Sequence, residues 1–317
     1  MQKVIYLFIF TLVFSGVNAQ NFQEGLAFYE SKQFRLAKKS FTAIDDESNE
    51  YAKAQFYLGR IAFDENEYKE AIAYFEEASE SDNSNSEYFT WLGNAYGMRV
   101  DEVNKLKQGV IAPRIKSNYE KAVALDPKNL DAQWGLIEYY TQAPSFMGGS
   151  FEKALSTSNT IAAFNPKEGF RAKYTIYQRQ GENTLALENL EELAALDSTY
   201  RFSLGLFYHV VERYESAYEL FQRLQIEEPE NTAVLYQIGR TSALSGKHLN
   251  EGIDALKTYL NTPLIEGTPS YAAAKMRLGM IYEKSGDFEK AQNYYTMSLK
   301  DDPDMALAEE GLKRVKN

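Results

Sequence analysis

A period of 34 residues runs through this chain and constrains its fold more than any other feature. Gly25, Gly59 and Gly93 are each 34 residues apart, and the same step separates Gly205 from Gly239. Near these positions a short sequence motif recurs, as in E-Y-K-E-A-I-A-Y-F and D-F-E-K-A-Q-N-Y-Y, with apolar residues at helical spacing. Self-similarity at a fixed period of this length predicts an array of similar helical units.

The recurring text predicts a pair of antiparallel helices in each unit. A small residue in the first helix lets the second helix approach closely, and an alanine in the second helix lies at the facing contact. A bulky residue four positions after that alanine fills the gap to the next unit. One pair cannot bury its apolar stripe alone, so the units are expected to stack. The small, alanine and bulky positions are, in turn, Gly59, Gly93, Gly205, Gly239 and Gly279; Ala37, Ala71, Ala154, Ala186, Ala217 and Ala291; and Phe41, Phe75, Phe221 and Tyr295.

The last complete unit carries the fullest form of the pattern: L-G at 278–279, G-D-F-E-K-A at 286–291, Tyr295, and D-P at 302–303. In this pattern the chain resembles the tetratricopeptide-repeat family. The resemblance extends over nearly all of the chain after residue 19 and implies an all-α fold, a right-handed α-solenoid of about eight helical hairpins. We expect the solenoid over 20–317, with a capping helix over 305–316 and repeats that start near residues 18, 52, 86, 130, 167, 198, 232 and 272.

Repeats 3 and 4 contain extra residues. In repeat 3 the stretch 99–114 predicts a lengthened first helix followed by a turn. In repeat 4 the stretch A-P-S-F-M-G-G-S-F-E-K-A (143–154) has the composition of a glycine-rich phosphate loop. No strand precedes it, however, and Lys153 comes four residues after Gly149, so the spacing of a phosphate-binding loop is not met.

We interpret 143–154 as a turn between two helices, with Ser150 as the N-cap of the second helix. A ligand contact at this turn stays open as the alternative. Insertions in neighbouring repeats emerge on one edge of a solenoid and can meet there. The turn beside 100–113 is therefore a candidate secondary docking edge, formed by Pro144, Phe146, Gly148 and Gly149.

The first residues have the pattern of an export signal. Lys3 precedes the unbroken apolar run 4–14, and the small-residue site Val17-Asn18-Ala19 follows. A transmembrane anchor is the alternative, but it needs roughly 20 apolar residues. We expect a cleavable signal peptide over 1–19 and a mature chain, with no transmembrane segment, that is periplasmic or associated with a bacterial cell envelope.

Composition argues against several kinds of chemistry. The formal net charge is −11, from 34 basic and 45 acidic residues, which disfavours nucleic acid as a partner. The chain has no cysteine and only two histidines, so we expect no metal site, no cofactor and no thiol nucleophile. His209 has no acidic or serine partner in sequence that would make it a catalytic base. We expect no catalytic residues and no enzymatic activity.

The resemblance implies that first helices line a concave groove and that ligands bind there in extended form. The fifth position of each repeat faces the groove, and five of these eight residues are aromatic. Packing between helices is the alternative role for these aromatics. A subfamily that clamps chaperone C-termini has lysine at this position, which this chain lacks. The candidate groove residues are Phe22, Phe56, Trp134, Phe202 and Tyr236 at fifth positions, Arg60, Asn94 and Arg240 at ninth positions, and Phe63 nearby.

These features predict a non-enzymatic scaffold or adaptor that binds a protein or peptide in the groove. Aromatic side chains would supply contact area and the arginines would supply planar, forked donors. Two other functions stay open. Aromatic-lined helical superhelices also accommodate glycans such as peptidoglycan, and repeat edges can stack into a self-associated structural component or homo-oligomer.

Overall fold

The structure, a computed structural model, describes residues 17–316, and helices are the only regular secondary structure within that range. Residues 1–16 of the expected signal peptide lie outside the described residues. No helix among those described is both long enough and apolar enough to cross a membrane. The all-α prediction is confirmed.

The chain forms two compact units that divide between Gln180 and Gly181. Unit 1 contains nine described helices and unit 2 contains eight. The helices of unit 1 are α1 over 17–30, α2 Phe34–Thr42, α3 Tyr51–Asp64, α4 Tyr68–Ser81, α5 Ser86–Asp101, α6 Lys105–Leu125, α7 Leu130–Gln142, α8 Phe151–Phe164 and α9 Pro166–Gln180. Those of unit 2 are α10 Asn183–Leu196, α11 Arg201–Val210, α12 Tyr214–Glu227, α13 Thr232–Ser245, α14 Leu249–Leu260, α15 Tyr271–Lys284, α16 Phe288–Asp301 and α17 Ala306–Val315.

Within each unit, consecutive helices pack as hairpins. In unit 1 the first helices of the hairpins are α1, α3, α5 and α7, and α9 extends this row; in unit 2 they are α11, α13 and α15. From α3 onward, each first helix also contacts the next one, whereas consecutive second helices make no comparable contact in the described chain. Each stack therefore carries its first helices on the inner side. We call the surface that they form the first-helix surface of that unit.

In five hairpins a glycine of the first helix lies against a ring of the second helix, whereas in the hairpin of α13 and α14 Gly239 lies against Leu256. A Cβ atom added to Gly59 would lie 2.6 Å from the Phe75 ring, and one added to Gly205 would lie 2.5 Å from the Phe221 ring. Non-bonded carbon atoms in proteins do not come this close, so only glycine permits the approach of the two helices. The six alanines expected at the facing contact are all fully buried. The close-approach prediction is confirmed.

The same rings also reach the following unit. Tyr119 lies against Gly93 of its own hairpin and against Gly135 of the next hairpin. Tyr295 lies in the same way between Gly279 and Gly311, which belongs to α17. These two rings thus join packing within a hairpin to stacking on the next element, as the sequence predicts for the bulky position.

The prediction of a lengthened first helix in repeat 3 is wrong. The first helix α5 ends at Asp101, and the extra residues extend the second helix, α6, to 21 residues. Asn104 starts α6, because its side chain accepts a hydrogen bond from the Lys107 N–H at 3.1 Å. Proline normally interrupts a helix by clashing with the carbonyl four residues earlier. Here α6 continues through Pro113, and the residue four positions earlier is Gly109. The helix boundary predicted from the sequence is therefore wrong in this stretch.

The turn of repeat 4 has the form expected for 143–150. Gly148 adopts φ 96°, a left-handed conformation that favours glycine. Gly149 is needed for a different reason, since a Cβ there would collide with the carbonyl oxygen of Ala143. Ser150 then caps α8 by accepting the Lys153 N–H at 3.2 Å. The stretch is a structural turn.

The expected cleavage site lies inside α1. Asn18 is buried, and its side-chain oxygen accepts a hydrogen bond from the Asp45 N–H at 3.3 Å. Cleavage after Ala19 would remove this contact and shorten α1 by its first described residues.

Candidate functional site

Most fifth-position residues are buried in the hairpins. Phe22, Phe56 and Tyr236 are 7%, 4% and 6% exposed. The Phe56 ring, for example, lies 5.8 Å from the Phe75 ring and 5.1 Å from the Tyr88 ring, centroid to centroid. This burial favours the packing alternative for these three aromatics.

Half-buried aromatic side chains and one arginine lie together on the first-helix surface of unit 1. Tyr29 and Tyr57 meet edge to face with their centroids 5.1 Å apart, and Phe63 meets Trp91 in the same way at 5.2 Å. The guanidinium of Arg60 lies 3.8 Å from the centroid of the Trp91 ring. We call these five residues the aromatic–arginine surface.

Arg60 has no ionic partner on this surface. Its guanidinium stacks on Trp91, and its Nε atom is buried and makes no hydrogen bond. No carboxylate among the described residues lies within ion-pair distance of it. A stacked, unpaired guanidinium can donate its terminal N–H groups to carbonyl or carboxylate oxygens of a ligand.

Two other groove candidates of unit 1 are occupied by neighbours. The side-chain oxygen of Asn94 accepts the Tyr119 hydroxyl proton at 2.7 Å. The indole N–H of Trp134 donates to Glu168 at 3.1 Å. Arg171 pairs with the same carboxylate at 2.9 Å and lies 4.4 Å from the Trp134 ring centroid. These contacts occupy the indole N–H and one face of the half-buried Trp134 ring.

In unit 2 the groove candidates have different surroundings. Phe202 is half-buried and meets Phe221 edge to face with centroids 5.7 Å apart. Arg240 is half-buried on α13, and its Nε atom makes no hydrogen bond. Buried His209 lies on the neighbouring helix α11, with its Nε2 atom 2.7 Å from the Thr241 hydroxyl.

His209 is held neutral. Burial, with the charges of Arg240 and Arg277 acting in the same direction, lowers the pKa of its imidazole to about 4. No carboxylate orients the ring, so the arrangement of a catalytic base is not present at this residue. The described residues also contain no group of three His, Asp or Glu side chains that could hold a metal ion.

The candidate secondary edge is exposed and touches the extended helix α6. Phe146 is 85% exposed beside Pro144. A Cβ atom on Gly148 would lie 3.3 Å from the Lys116 ammonium of α6. The turn therefore lies against α6 at Lys116, which follows the stretch 100–113 in the sequence.

Two segments of the sequence match family models described as the tetratricopeptide repeat. They cover residues 22–86, which contain α2, α3 and α4, and residues 272–305, which contain most of α15 and all of α16. Both matched segments contain glycine–ring hairpins of the kind described above. The chain is a tetratricopeptide-repeat protein.

Solved tetratricopeptide-repeat structures align with most of the chain at low identity. One from Parabacteroides merdae is 16% identical with a TM-score of 0.45, and the alignment covers 84% of this chain and 99% of that chain. YrrB, described as having an unusual peptide-binding site, is 17% identical with a TM-score of 0.39 and coverages of 75% and 97%. One from Thermus thermophilus is 20% identical with a TM-score of 0.39 and coverages of 60% and 98%. No curated protein matches the chain.

Sequence reasoning missed the residues next to the fifth position of the tetratricopeptide repeat. Tyr57, Trp91 and Arg277 follow the fifth positions of repeats 2, 3 and 8, and all three are half-buried on first helices. The fifth-position residue of each of these repeats is buried. Adjacent residues on a helix point about 100° apart, so a one-residue offset decides which side chain faces solvent. The aromatic residues at 57 and 91, spaced by the repeat length, are the signal that could have found this surface.

Proposed function

We propose that this tetratricopeptide-repeat protein is a non-enzymatic scaffold that binds an extended segment of a partner protein on its first-helix surfaces. The observation that carries the proposal is the aromatic–arginine surface of unit 1. Tyr29, Tyr57, Phe63 and Trp91 are half-buried rings with few rotors to immobilise, and Arg60 offers unpaired donors between them. Such a combination of aromatic rings and arginine is typical of binding hot spots.

The structure of this surface suits a peptide backbone. An extended peptide presents carbonyl groups along its length, and Arg60 has terminal N–H groups to donate to them. The rings on either side supply apolar contact for alternate side chains. A peptide can bind here without burying about 20 of its residues, because a few hot-spot contacts supply most of the binding energy of an interface.

Peptide selection tests the proposal. Wild-type protein and the variant Arg60→Gln/Trp91→Ala would be panned against a displayed library of random dodecapeptides. We expect the wild type to enrich a peptide consensus, and the variant to bind the enriched peptides at least tenfold more weakly, about 1.4 kcal/mol. The double substitution removes both the indole ring area and the guanidinium stacked on it.

Phe288→Ala is the matched control, because Phe288 is an exposed aromatic on a second helix, α16. This variant should retain wild-type affinity. If the wild type enriches no consensus, or if Arg60→Gln/Trp91→Ala binds the consensus as well as Phe288→Ala does, the proposal is wrong. Circular dichroism on each variant verifies that the helical fold is kept.

We also propose that the protein is exported and acts in a bacterial cell envelope. The support is the sequence over 1–19, with its basic start, apolar run and small-residue site. Mass spectrometry of the protein purified from its native cells should find Gln20 as the N-terminal residue. An intact N-terminus at Met1 on cell-associated protein would contradict export by cleavage.

A further inference from the structure

The first half of α6 presents an apolar face to solvent. Leu106, Val110 and Pro113 lie at positions i, i+4 and i+7 of the helix, a spacing that places them on one face. All three are exposed, Leu106 by 87% and Val110 by 66%. A Cβ atom added to Gly109, within the same stretch, would meet no atom within 4 Å. This face of α6 is therefore open along two turns of the helix.

The opposite face of α6 holds the helix in its hairpin. Ile111 is half-buried and Ile115 and Tyr119 are buried, each four residues after the one before. Successive residues of a helix turn by about 100°, so these three lie roughly opposite Leu106 and Val110. The helix is thus apolar on two faces, of which one packs in the fold and the other meets solvent.

Four cations border the exposed apolar face. Each lies about 80–100° around the helix from Leu106, where a long side chain can reach over the edge of the face. No acidic residue occurs within 103–119, although the whole chain has a net charge of −11. We call the exposed face and these cations together the α6 surface. It consists of Leu106, Val110 and Pro113, with Lys105 and Lys116 on one side and Lys107 and Arg114 on the other.

The carboxylates of the fold leave most of this positive charge unpaired. Arg114 is paired, since its Nη1 atom lies 3.3 Å from a carboxylate oxygen of Glu76. Among the described residues, no carboxylate lies within ion-pair distance of Lys105, Lys107 or Lys116. Exposed charges farther away than the Debye length, about 8 Å at physiological ionic strength, are largely screened. The acidic remainder of the chain therefore offsets little of the local charge.

Folding alone does not account for the α6 surface. Lysine in the first turn of a helix opposes the helix dipole, and α6 has no acidic residue in its first turn. Pro113 removes one backbone hydrogen bond from the helix interior. Leu106 and Val110 bury little area, so they add little to the stability of the hairpin. The pattern suits a contact with something outside the chain.

We propose that the α6 surface binds the surface of a membrane that contains anionic lipids. A helix at such a surface buries apolar side chains at the boundary of headgroups and acyl chains, while its lysines attract the anionic headgroups. Lysine suits this role, because its flexible stem carries a point charge to phosphate groups that have no fixed arrangement. Protein interfaces are instead depleted in lysine and enriched in aromatic residues, which the α6 surface lacks. The proposal does not depend on the peptide-binding function.

Site-directed spin labelling tests the proposal, because the chain has no cysteine of its own. A nitroxide is attached to full-length Gly109→Cys, and electron paramagnetic resonance is recorded with vesicles of phosphatidylcholine, alone or mixed equally with phosphatidylglycerol. We expect the mixed vesicles to make the label more accessible to oxygen and less accessible to a water-soluble nickel chelate. Raising the salt concentration should reverse this change.

Ile226→Cys is the matched control, because Ile226 is an exposed aliphatic residue on another second helix, α12, and is followed by Glu227 and Glu228. Its label should stay in water with both kinds of vesicle. The apolar run 4–14 is common to all variants, so a difference between the two labels reports on the α6 surface. Equal changes at both labels, or equal changes at position 109 with phosphatidylcholine alone, would overturn the proposal.

Substitutions in the labelled Gly109→Cys background separate charge from apolar contact. Lys105→Gln/Lys107→Gln should raise the lipid concentration needed for half of the change about tenfold or more, and Lys105→Arg/Lys107→Arg should leave it near the original value. Leu106→Ser/Val110→Ser keeps the charges but should abolish immersion of the label. Circular dichroism verifies the fold of each variant. Unchanged lipid dependence in the glutamine or the serine variant would contradict the proposal.

The same label distinguishes the other occupants of this surface. If the label at position 109 ignores vesicles but loses mobility when polyglutamate is added, the occupant is an acidic protein segment. If its spectrum broadens as the protein concentration rises without lipid, the occupant is a second copy of this chain. Either result, like a label that responds to none of these additions, would overturn membrane binding.

Discussion

Titratable side chains on the first helices differ mainly in what balances or suppresses their charge. His209 has no carboxylate partner, and its burial among Thr241, Tyr214 and two arginines keeps it uncharged, with a pKa near 4 against about 6.5 when unfolded. Between these two pH values the unfolded chain binds a proton that the folded chain does not. Folding stability at this residue is therefore fully present above about pH 6.5 and is lost as the pH falls toward 4.

Replacing His209 should remove this pH dependence. We expect the free energy of unfolding of wild type to fall by up to about 3 kcal/mol more than that of His209→Gln between pH 7 and pH 4. Urea denaturation at half-unit pH steps measures the difference, and the common titration of surface carboxylates cancels between the two proteins. Parallel curves for the two proteins would mean that His209 is not buried neutral.

At the scale of the helical hairpin, stability depends on glycines that admit a ring. Gly59 faces Phe75 at a distance that no Cβ atom could tolerate. Gly97 lies on the first helix of the next hairpin, α5, and a Cβ atom there would meet no atom within 4 Å. The two glycines therefore offer the same substitution in opposite surroundings.

Gly59→Ala should destabilise the protein by about 1–3 kcal/mol, because overpacking displaces the Phe75 ring. Gly97→Ala should stabilise it by up to about 1 kcal/mol through helix propensity alone. Thermal and urea unfolding of both variants measure the effects. Equal effects of the same sign would contradict the assignment of Gly59 to ring packing.

Over a whole unit, stability is a sum of neighbouring contacts, and the ends need a cover. In unit 2, α17 covers the Tyr295 ring with Gly311 and bonds to α15 through Arg314, which donates to Glu283 at 2.7 and 2.9 Å. This helix thus separates the packed ring from solvent. Its loss would expose apolar area on α16.

Deleting 306–317 should lower the free energy of unfolding by on the order of 3 kcal/mol and promote association through the exposed ring. Arg314→Gln is the comparison, because breaking this surface ion pair should cost less than about 1 kcal/mol. Urea denaturation and light scattering measure the two effects. Concentration-dependent growth of the undeleted chain would instead support the self-associating alternative.

Features that are local and repeat with the period could be predicted from the sequence. The spacing of Gly59, Ala71 and Phe75 predicts a close hairpin, because helix geometry places these residues at one contact whatever surrounds them. The cap at Ser150 follows from local backbone chemistry in the same way. The end of α5 did not follow, because the stretch predicted as a lengthened first helix and a turn instead contains the end of α5 at Asp101 and the start of α6, which continues through Pro113.

The sequence by itself determined the helical pairs, their stacking and the residues that allow close approach, since each rests on spacing within one repeat. Tertiary structure alone decided which side chains are left for a ligand. Phe56 is buried while Tyr57 is half-buried, and Arg240 has no carboxylate within ion-pair distance among the described residues while Arg99 and Arg171 each pair with one. Exposure and charge pairing depend on residues one repeat or more away, whose positions only the packed stack establishes.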